Sequence, residues 1–558
     1  MLKKLWLVVV TASVAAILFP IISNSTPAAD TQGPAALSGQ VTSAEEGPME
    51  GVLVTAKKDG STIRISVVSD RQGHYSFPAA KLEPGRYALT IRAAGYDLDS
   101  SASVDLSGGK AATSDLKLRK TKNLPAQLSN AEWIASLPGT DAQKSMLIDC
   151  VGCHTVQRIL KSNHDADEFV QVFDRMSGYY NGSTPLHPQR LMGGARNPVG
   201  HGPEVLARAK YLASVNLSEV SNWEYPLKTL PRPTGRATHV VITEYDLLRP
   251  IVQPHDVYVD SDGVVWYTDF GQQFIGKLEP KTGKVTEFPV PELKKGFPQG
   301  TLEIHPDRDG YLWVSMMYQG GIARFDKKTQ TFKIYAVPQE WQADHTQESM
   351  VMPLSSHVDG KVWTNNQDTH NILRVDIASG KFESFGPFKD PSTGKAVNGY
   401  GIPADQENNL YLLNFGGDNI GRVDAKTGKF TAYRTPNPDS RPRRGRFDAQ
   451  NRLWFAEYGA NSVAMFDPKT EKFQEWKIPT AWSAPYDAAL DKNGDIWTGS
   501  MLTDQVDRVD SKTGQTVEYL LPRETNIRRV FVDNSTNPVT FWVGNTHAGS
   551  ILKLEPTD

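Results

Sequence analysis

A repeated unit fills the second half of the chain and constrains its fold more than any other feature. From residue 236 onward, each unit has an Asp-Gly-type or Asn-Gly-type turn, a hydrophobic strand with one aromatic residue, and later a Lys-Thr-Gly-like turn before a final strand. The aromatic residue recurs about every 43 to 50 residues, which is the spacing of four-stranded blades. Its seven copies are Trp266, Trp313, Trp363, Tyr411, Trp454, Trp497 and Trp542. The sequence therefore predicts a seven-bladed β-propeller over residues 236–558, with these aromatic residues in the core between blades.

The two ends of the repeat predict how the ring closes. The last unit ends one strand short, at Ser550-Ile-Leu-Lys-Leu554. The segment Val241-Ile-Thr-Glu-Tyr-Asp246, ahead of the first unit, has the pattern of a blade's final strand. We expect this segment to pair with the last unit, because that pairing removes the open edges of the ring.

The stretch Cys150-Val-Gly-Cys-His154 contains the two cysteines of the 558-residue chain. Its C-x-x-C-H spacing is that of c-type haem attachment, in which two thiols form thioethers and the histidine is the proximal iron ligand. A zinc site would need four ligands, and the chain has no third cysteine. A thioredoxin-like dithiol belongs between a strand and a helix, a context that the sequence does not show here. We therefore predict a covalent haem c held by Cys150, Cys153 and His154.

Residues 125–217 have a helical pattern around this motif. Apolar residues recur at helical spacing over 166–176 and 204–213, and a short helix is expected over 131–137. With the haem motif early and an amphipathic helix last, the segment resembles a class I cytochrome c. The resemblance implies a methionine as sixth iron ligand, and Met192 has the expected place in the loop before the last helix. Met176 is its rival, and His164, His187 or His201 would instead give a bis-histidine site.

Residues 37–120 consist of short β-type runs broken by turns, which suit an antiparallel sandwich. The segments Asp70-Arg-Gln-Gly73-His-Tyr75-Ser-Phe77, Leu82-Glu-Pro84-Gly85-Arg-Tyr87 and Ala94-Gly95-Tyr96 resemble the carboxypeptidase regulatory-like (transthyretin-like) domain. The resemblance implies an accessory module without catalytic residues, which spaces or docks its neighbours.

The amino-acid sequence of the propeller repeats is similar to that of the streptogramin (virginiamycin B) lyase family, most clearly over Leu453-Trp-Phe-Ala-Glu-Tyr-Gly-Ala-Asn461. The resemblance implies that a histidine base opens a cyclic depsipeptide by elimination, while an acidic residue helps to hold Mg²⁺. The first unit keeps this pairing of types in His255 and Asp269. The fifth unit keeps Glu457 but has Arg443 and Arg444 where the histidine should be. Because arginine stays protonated, it cannot serve as that base.

Innermost strands line the axial channel of a propeller, so their polar residues are the candidate site. These candidates are His255, Asp269, Tyr400, Arg443, Arg444, Glu457, Tyr486 and Arg528. Neighbouring arginines in a channel favour a small anionic or carboxylate-bearing ligand. The alternative is that the arginines form salt bridges with Asp269, Glu457 or Asp487 and rigidify the ring.

The N-terminus has the pattern of an export signal over residues 1–29. Lys3 and Lys4 precede an uncharged apolar run over 5–22 and a polar, small-residue stretch over 23–29. The run is long enough to anchor the protein in a membrane if it is not cleaved. Export agrees with haem attachment outside the cytoplasm and predicts a bacterial periplasmic protein. A net charge of −3 without long runs of one sign excludes nucleic acid as a partner.

Together these patterns predict a multidomain, mainly β protein: a β-sandwich, a small α-helical cytochrome c domain and a seven-bladed β-propeller. The leading functional hypothesis is a periplasmic haem protein in electron transfer with a redox partner, whose propeller binds or oxidises a small molecule. One alternative is a lyase of the streptogramin type, which alone would require Mg²⁺. The other is a non-enzymatic module that docks partners. An oxidoreductase component is favoured over a lyase.

Overall fold

The computed structural model describes residues 35–108, 110–195, 198–217 and 225–558, which form a β-sandwich, a helical region and a propeller. The predicted export segment, residues 1–29, lies outside the described residues. None of the helices in these ranges has the length and apolar character of a membrane span.

The N-terminal domain is a sandwich of two sheets, as predicted, but it is not wholly antiparallel as expected, because the strand at 35–43 pairs in parallel with those at 112–113 and 116–120. One sheet contains β1, β2, β5, β7, β9 and β10, and the other has the order β4-β3-β6-β8. Buried side chains such as Leu37, Val54 and Phe77 pack together in its core. The strands are β1 Ala35–Ser43, β2 Gly47–Pro48, β3 Leu53–Lys58, β4 Ile63–Val68, β5 His74–Pro78, β6 Gly85–Arg92, β7 Tyr96–Leu98, β8 Ala102–Leu106, β9 Ala112–Thr113 and β10 Leu116–Lys120.

Six helices follow among the described residues, and they enclose an apolar core that continues into the propeller at Tyr458 and Leu502. Trp133, Leu147, Leu160, Phe169 and Leu212 are all buried within it. Capping boxes begin the first and fifth helices, so the local sequence defines where they start. The helices are α1 Asn130–Ser136, α2 Asp141–Lys144, α3 Leu147–Cys150, α4 Val156–Leu160, α5 Ala166–Ser177 and α6 Pro203–Val215. The three helices expected from the sequence correspond to α1, α5 and α6.

The propeller has seven four-stranded blades, as predicted: six are separate sheets, and the seventh is part of a larger sheet. Blades 1 to 3 are β12 Pro254–Val259, β13 Val265–Asp269, β14 Phe274–Glu279, β15 Lys284–Pro289; β16 Ile304–Pro306, β17 Leu312–Ser315, β18 Gly321–Asp326, β19 Thr331–Ala336; β20 Val351–Met352, β21 Lys361–Asn366, β22 Asn371–Asp376, β23 Phe382–Phe385. Blades 4 to 6 are β24 Gly399–Gly401, β25 Leu410–Asn414, β26 Asn419–Val423, β27 Phe430–Arg434; β28 Pro442–Phe447, β29 Leu453–Glu457, β30 Ser462–Asp467, β31 Lys472–Lys477; β32 Pro485–Leu490, β33 Asp495–Ser500, β34 Gln505–Asp510, β35 Thr516–Leu520. Blade 7 combines β36 Ile527–Asp533, β37 Thr540–Asn545 and β38 Ser550–Pro556 with β11 Val240–Asp246.

The recurring tryptophans are buried, as predicted, and several have the same type of polar partner, an aspartate of their own blade. The indole nitrogen of Trp313 donates to Asp307 at 2.9 Å, and that of Trp497 donates to Asp491 at 2.9 Å. Each of these aspartates also accepts backbone N–H groups of the turn that follows it. One carboxylate therefore fixes both the turn and the tryptophan of its blade.

Strand β11 closes the ring, which confirms the expected pairing, and it also joins the sandwich to the ring. One edge pairs with β38 from Val240↔Pro556 to Asp246↔Ser550. The other edge pairs with β4 of the sandwich, where Ile242 lies opposite Ser66. Sandwich and last blade thus share one eight-stranded sheet. The sequence analysis did not predict this second pairing.

The helical region covers one mouth of the propeller channel. The Ala131 N–H donates to the Leu502 carbonyl at 2.9 Å, and the Tyr458 hydroxyl donates to the Ile148 carbonyl at 2.9 Å. A further contact around this mouth comes from blade 1, where the Gln253 amide donates to the Gly182 carbonyl at 2.8 Å. Helices and propeller therefore enclose the space between them.

Candidate functional site

Most innermost strands of the ring share an irregularity that places two neighbouring residues at its centre. The register with the next strand shifts between Pro254 and Val257, Pro442 and Gly445, Pro485 and Ala488, and Ile527 and Val530. In blade 5 the bulge needs glycine, because a Cβ on Gly445 would lie 2.3 Å from the Trp454 carbonyl oxygen. Each bulge encloses a pair of residues: His255 and Asp256, Arg443 and Arg444, Tyr486 and Asp487, Arg528 and Arg529.

The second residues of the pairs form a buried ion-pair network with Glu303 at the centre of the ring. We call this network the hub; its residues are Asp256, Glu303, Arg444, Asp487 and Arg529. Arg444 is 1% exposed and donates to Asp256 and to Glu303, at 2.9 Å each. Arg529 also pairs with Glu303 and lies 3.6 Å from an oxygen of Asp487. Arg444 therefore forms salt bridges within the ring, which was the alternative to ligand binding. Its partners are Asp256 and Glu303 rather than the expected Asp269, Glu457 or Asp487. Burial raises the pKa of the Asp256 carboxyl, but Arg444 holds that pKa below its usual value.

His255 is fully buried beside this hub, and both of its ring nitrogens have polar partners. Its Nδ1 lies 2.6 Å from Asp256 Oδ1, and its Nε2 lies 3.2 Å from the Tyr486 hydroxyl. The pKa of His255 is lowered to about 3, mainly by burial and also by Arg528 and Arg444, against the opposing effect of Asp256. A base with so low a pKa accepts a proton weakly at neutral pH.

Asp269 and Glu457 have partners of their own away from His255. Asp269 forms an ion pair with Arg249 and accepts the N–H groups of Gln253 and Gly271. Glu457 accepts from the Asn437 amide at 2.7 Å, and burial, opposed by that bond and aided by Glu475, raises its pKa to about 8. Across the described ranges, no three His, Cys, Asp or Glu side chains are grouped closely enough to hold a metal ion. The two carboxylates expected to serve Mg²⁺ in the lyase alternative are thus already bonded, Asp269 to Arg249 and Glu457 to Asn437.

A cavity of about 520 Å³ lies between the helical region and the mouth of the ring. Gly152 and Cys153 of the C-x-x-C-H motif line one wall, and Tyr400, Arg443 and Arg528 of the propeller line another. Its volume falls within the range of about 300–1,000 Å³ that is typical of small-molecule sites. Three of the eight predicted channel residues therefore meet the C-x-x-C-H motif at one cavity.

Below this cavity, a chain of hydrogen bonds leads to the hub. The Tyr400 hydroxyl bonds to the Tyr486 hydroxyl, which in turn lies 3.2 Å from His255 Nε2. His255 Nδ1 continues the chain to Asp256. Tyr486 and His255 thus connect the cavity wall to the hub.

The C-x-x-C-H motif spans the end of α3 and the turn that follows it. Burial raises the pKa of the Cys150 thiol to about 12, with Asp149 adding to it, and burial also raises the pKa of Cys153. Redox-active dithiols need thiols with a lowered pKa, so these two do not fit such a role.

His154 has the features of a neutral ligand. Its Nδ1 lies 3.1 Å from the Thr155 carbonyl oxygen, and burial lowers its pKa. An Nδ1–H donated to a carbonyl leaves the Nε2 lone pair available to a metal. The three residues of the motif therefore fit a covalently attached haem.

Blade 7 makes contacts with the motif that the sequence analysis missed. The Asn526 amide donates to the Val151 carbonyl at 3.0 Å, and Arg528 Nη2 donates to the Gly152 carbonyl at 2.9 Å. The buried ring of His547 faces the same turn, and neither of its nitrogens has a hydrogen bond of normal geometry. No signal in the repeat pattern marks Asn526 or His547, because contact with the helical region is not a property of the repeat.

The candidates for the sixth iron ligand lie outside the cavity wall. Met192 and Met176 are each 40% exposed. Met192 lies in the loop before α6, where the neighbouring Gly194 carbonyl contacts His345 Nε2 at 3.1 Å. Of the histidine rivals, His201 pairs with Asp174 at 2.8 Å and His164 lies 3.6 Å from Glu168. Ligation by Met192 stays a prediction.

Comparison with known proteins identifies the two β domains. Residues 294–557 match the virginiamycin B lyase family, and residues 36–119 match the carboxypeptidase regulatory-like domain. Both matches confirm the resemblances found in the sequence, and the ring is a virginiamycin B lyase-like propeller. No curated protein matches the chain.

Solved structures of lyases also resemble this chain. The selenomethionine-substituted virginiamycin B lyase from Staphylococcus aureus is 21% identical, with 56% of this chain and 99% of that chain covered and a TM-score of 0.48. A streptogramin B lyase structure is 22% identical, with 58% and 100% of the two chains covered and a TM-score of 0.49.

Proposed function

We propose that this protein is an exported c-type haem protein whose propeller binds a small molecule beside the haem and exchanges electrons with it. The observation that supports this proposal is that Cys153 lines the same cavity as Tyr400, Arg443 and Arg528. A haem joined to Cys153 would therefore be attached at the wall of that cavity. A molecule held by the propeller residues would then lie next to the redox group.

In this proposal, Cys150 and Cys153 would hold the haem through thioethers, and His154 and Met192 would be its iron ligands. The haem would supply one-electron oxidation and reduction. The protein side chains bind and orient the small molecule, and the helical region limits the access of water to it. Residues 1–29 would direct export to the periplasm, where a redox partner exchanges electrons with the haem, and would act as an anchor if uncleaved.

The test is to express the full chain with a cytochrome c maturation system and to measure haem that survives denaturation. We expect about one haem per chain from the single C-x-x-C-H motif, visible in the intact mass and as haem staining on a denaturing gel. The double variant Cys150→Ala, Cys153→Ala should lose it, while His187→Ala, a histidine outside the motif, should retain it. A folded, exported wild-type protein without covalent haem, beside a fully loaded control cytochrome, would refute the proposal.

A second candidate is a lyase of the streptogramin type, which the family match over residues 294–557 favours. The arrangement of His255 and Asp269 opposes it, since Arg249 occupies the carboxylate and burial lowers the histidine pKa to about 3. The test is ring opening of a streptogramin B antibiotic with added Mg²⁺. We expect no turnover, whereas turnover that stops with a chelator and with His255→Ala would establish the lyase.

A further inference from the structure

Two arginines on the cavity wall differ from the other buried arginines of the ring. Arg444, Arg446 and Arg529 each pair with a carboxylate of the hub. Arg443 is 8% exposed and Arg528 is 3% exposed, yet neither has an ion-pair partner among the described residues. A buried charge without an opposite charge is costly, so such a group usually serves a ligand.

Arg443 lies within a cage of aromatic rings. Its guanidinium carbon lies 4.0 Å from the ring centre of Tyr486, 4.3 Å from Tyr458 and 4.6 Å from Phe415. The ring faces stabilise the positive charge but accept no regular hydrogen bond. The Nε atom has no hydrogen-bond partner, and Nη1 has only the Met501 sulfur at 3.9 Å. The planar donors of Arg443 are therefore largely unused.

Arg528 is fixed from one side and faces the same cavity. Its Nε donates to Asn526 at 2.7 Å and its Nη2 donates to the Gly152 carbonyl at 2.9 Å, which leaves Nη1 without a described acceptor. The aspartates on the cavity wall are Asp149 and Asp368, and Asp149 already pairs with Arg441 at 3.0 Å. The part of the cavity between Arg443 and Arg528 is thus positively charged and rich in donors.

We propose that Arg443 and Arg528 together bind a carboxylate group in this cavity, with the aromatic wall holding the apolar part that bears it. This inference deepens the proposed function, on which it rests, by naming the chemical class of the ligand. The guanidinium fork matches the geometry of a carboxylate, and two forks around one group favour it over a neutral ligand. The carboxylate can belong to a free small molecule or to a propionate of the attached haem, and the experiment separates these sources.

The experiment measures binding of benzoate and of its uncharged analogue benzamide to the haem-loaded full chain by calorimetry. For a free carboxylate ligand, benzoate should bind at least about tenfold more tightly than benzamide, because only benzoate can form charge-assisted hydrogen bonds with both partners charged. Arg443→Gln and Arg528→Gln should each weaken benzoate binding about tenfold or more. Arg441→Gln is the matched control, because Arg441 lines the same cavity but is already paired with Asp149.

A second measurement, the midpoint potential of the haem, tests the case in which the carboxylate is a haem propionate. If a propionate occupies the site, benzoate should not bind. Arg443→Gln and Arg528→Gln should then lower the potential by more than Arg441→Gln does, because only they remove a cation bonded to the propionate, and loss of that cation favours the oxidised haem. Benzoate binding that persists in the haem-free variant Cys150→Ala, Cys153→Ala would identify a free ligand independently of the haem proposal. If neither binding nor potential depends on Arg443 or Arg528, the inference is wrong.

Discussion

The neighbouring residues Arg443 and Arg444 provide a direct test of what holds the ring together and what serves a ligand. Both lie on β28, both are buried, and both lose the same guanidinium on replacement by methionine. Arg444 donates to Asp256 and Glu303, whereas Arg443 contacts aromatic rings and no carboxylate. We therefore expect Arg444→Met and Arg443→Met to change stability very differently.

The size of each effect follows from these contacts. Removal of one member of a buried ion pair destabilises a protein by about 3–5 kcal/mol, and Arg444→Met leaves two buried carboxylates without this partner. Arg443→Met loses cation–π contacts of about 0.5–1 kcal/mol each but removes a desolvation penalty of several kcal/mol. The net change for Arg443→Met should lie within about 1 kcal/mol of zero, so the two variants should differ by about 3 kcal/mol.

Thermal unfolding followed by circular dichroism measures the difference. At about 2–4 °C per kcal/mol, Arg444→Met should lower the Tm at neutral pH by about 6 °C or more, and Arg443→Met should shift it by no more than about 4 °C. Equal losses in both variants would refute the distinction between a paired and an unpaired arginine.

The pH dependence provides a second check on the same variant. Burial raises the pKa of the Asp256 and Glu303 carboxyls, but Arg444 holds both below their usual values in the folded protein. A lowered folded pKa gives stability that is present above the unfolded pKa and is lost as the pH falls through the folded pKa. The deficit of Arg444→Met should therefore shrink as the pH falls below about 4. A deficit that stays constant into acid would mean that the hub charges do not interact as described.

Three further changes test other parts of the structure. Met192→Ala should remove the long-wavelength absorption band of methionine-ligated ferric haem, while Met176→Ala should keep it; the reverse result would exchange their roles. Burial raises the pKa of Glu457 to about 8, so the wild-type Tm should fall as the pH rises from about 5 to 8, and Glu457→Gln should lessen that fall. Asp246→Ala removes the carboxylate that Lys57, Arg64 and Arg523 share where sandwich and ring meet, and faster limited proteolysis between the two is expected. Unchanged cleavage would show that strand pairing alone holds this joint.

The blade architecture could be predicted from the sequence because each blade repeats its own local interactions. An aspartate such as Asp307 binds the turn that follows it and the indole of Trp313 within seven residues, so the pattern is visible in a short stretch. Ring closure was predictable for the same reason, because the segment 241–246 ahead of the first unit has the sequence pattern of a blade's last strand. The pairing of β4 with the free edge of β11 left no such pattern, because it depends on how two separate domains meet.

The roles of the central arginines could not be assigned from the sequence. Neighbouring residues of an innermost strand point to different surroundings at the bulge, so Arg443 faces the cavity while Arg444 faces the hub. The partners of Arg444 lie more than 140 residues away, in the first two blades. One signal could have indicated them: the second residues of the bulge pairs are Asp256, Arg444, Asp487 and Arg529, which balance in charge.

The same bulges suggest how a lyase-like ring can serve a different chemistry. The hub is closed by ion pairs, and His255 is held between Asp256 and Tyr486, so the centre of the ring contributes rigidity. Of the first residues of the bulge pairs, Arg443 and Arg528 line the cavity at the mouth, where the helical region adds Cys153. Under the proposed function, ion pairing at the hub and ligand binding at the mouth would be separated along the axis of the ring. It follows that changes in the hub should alter stability first, whereas changes at Arg443 and Arg528 should alter ligand binding or haem potential in a protein of nearly unchanged stability.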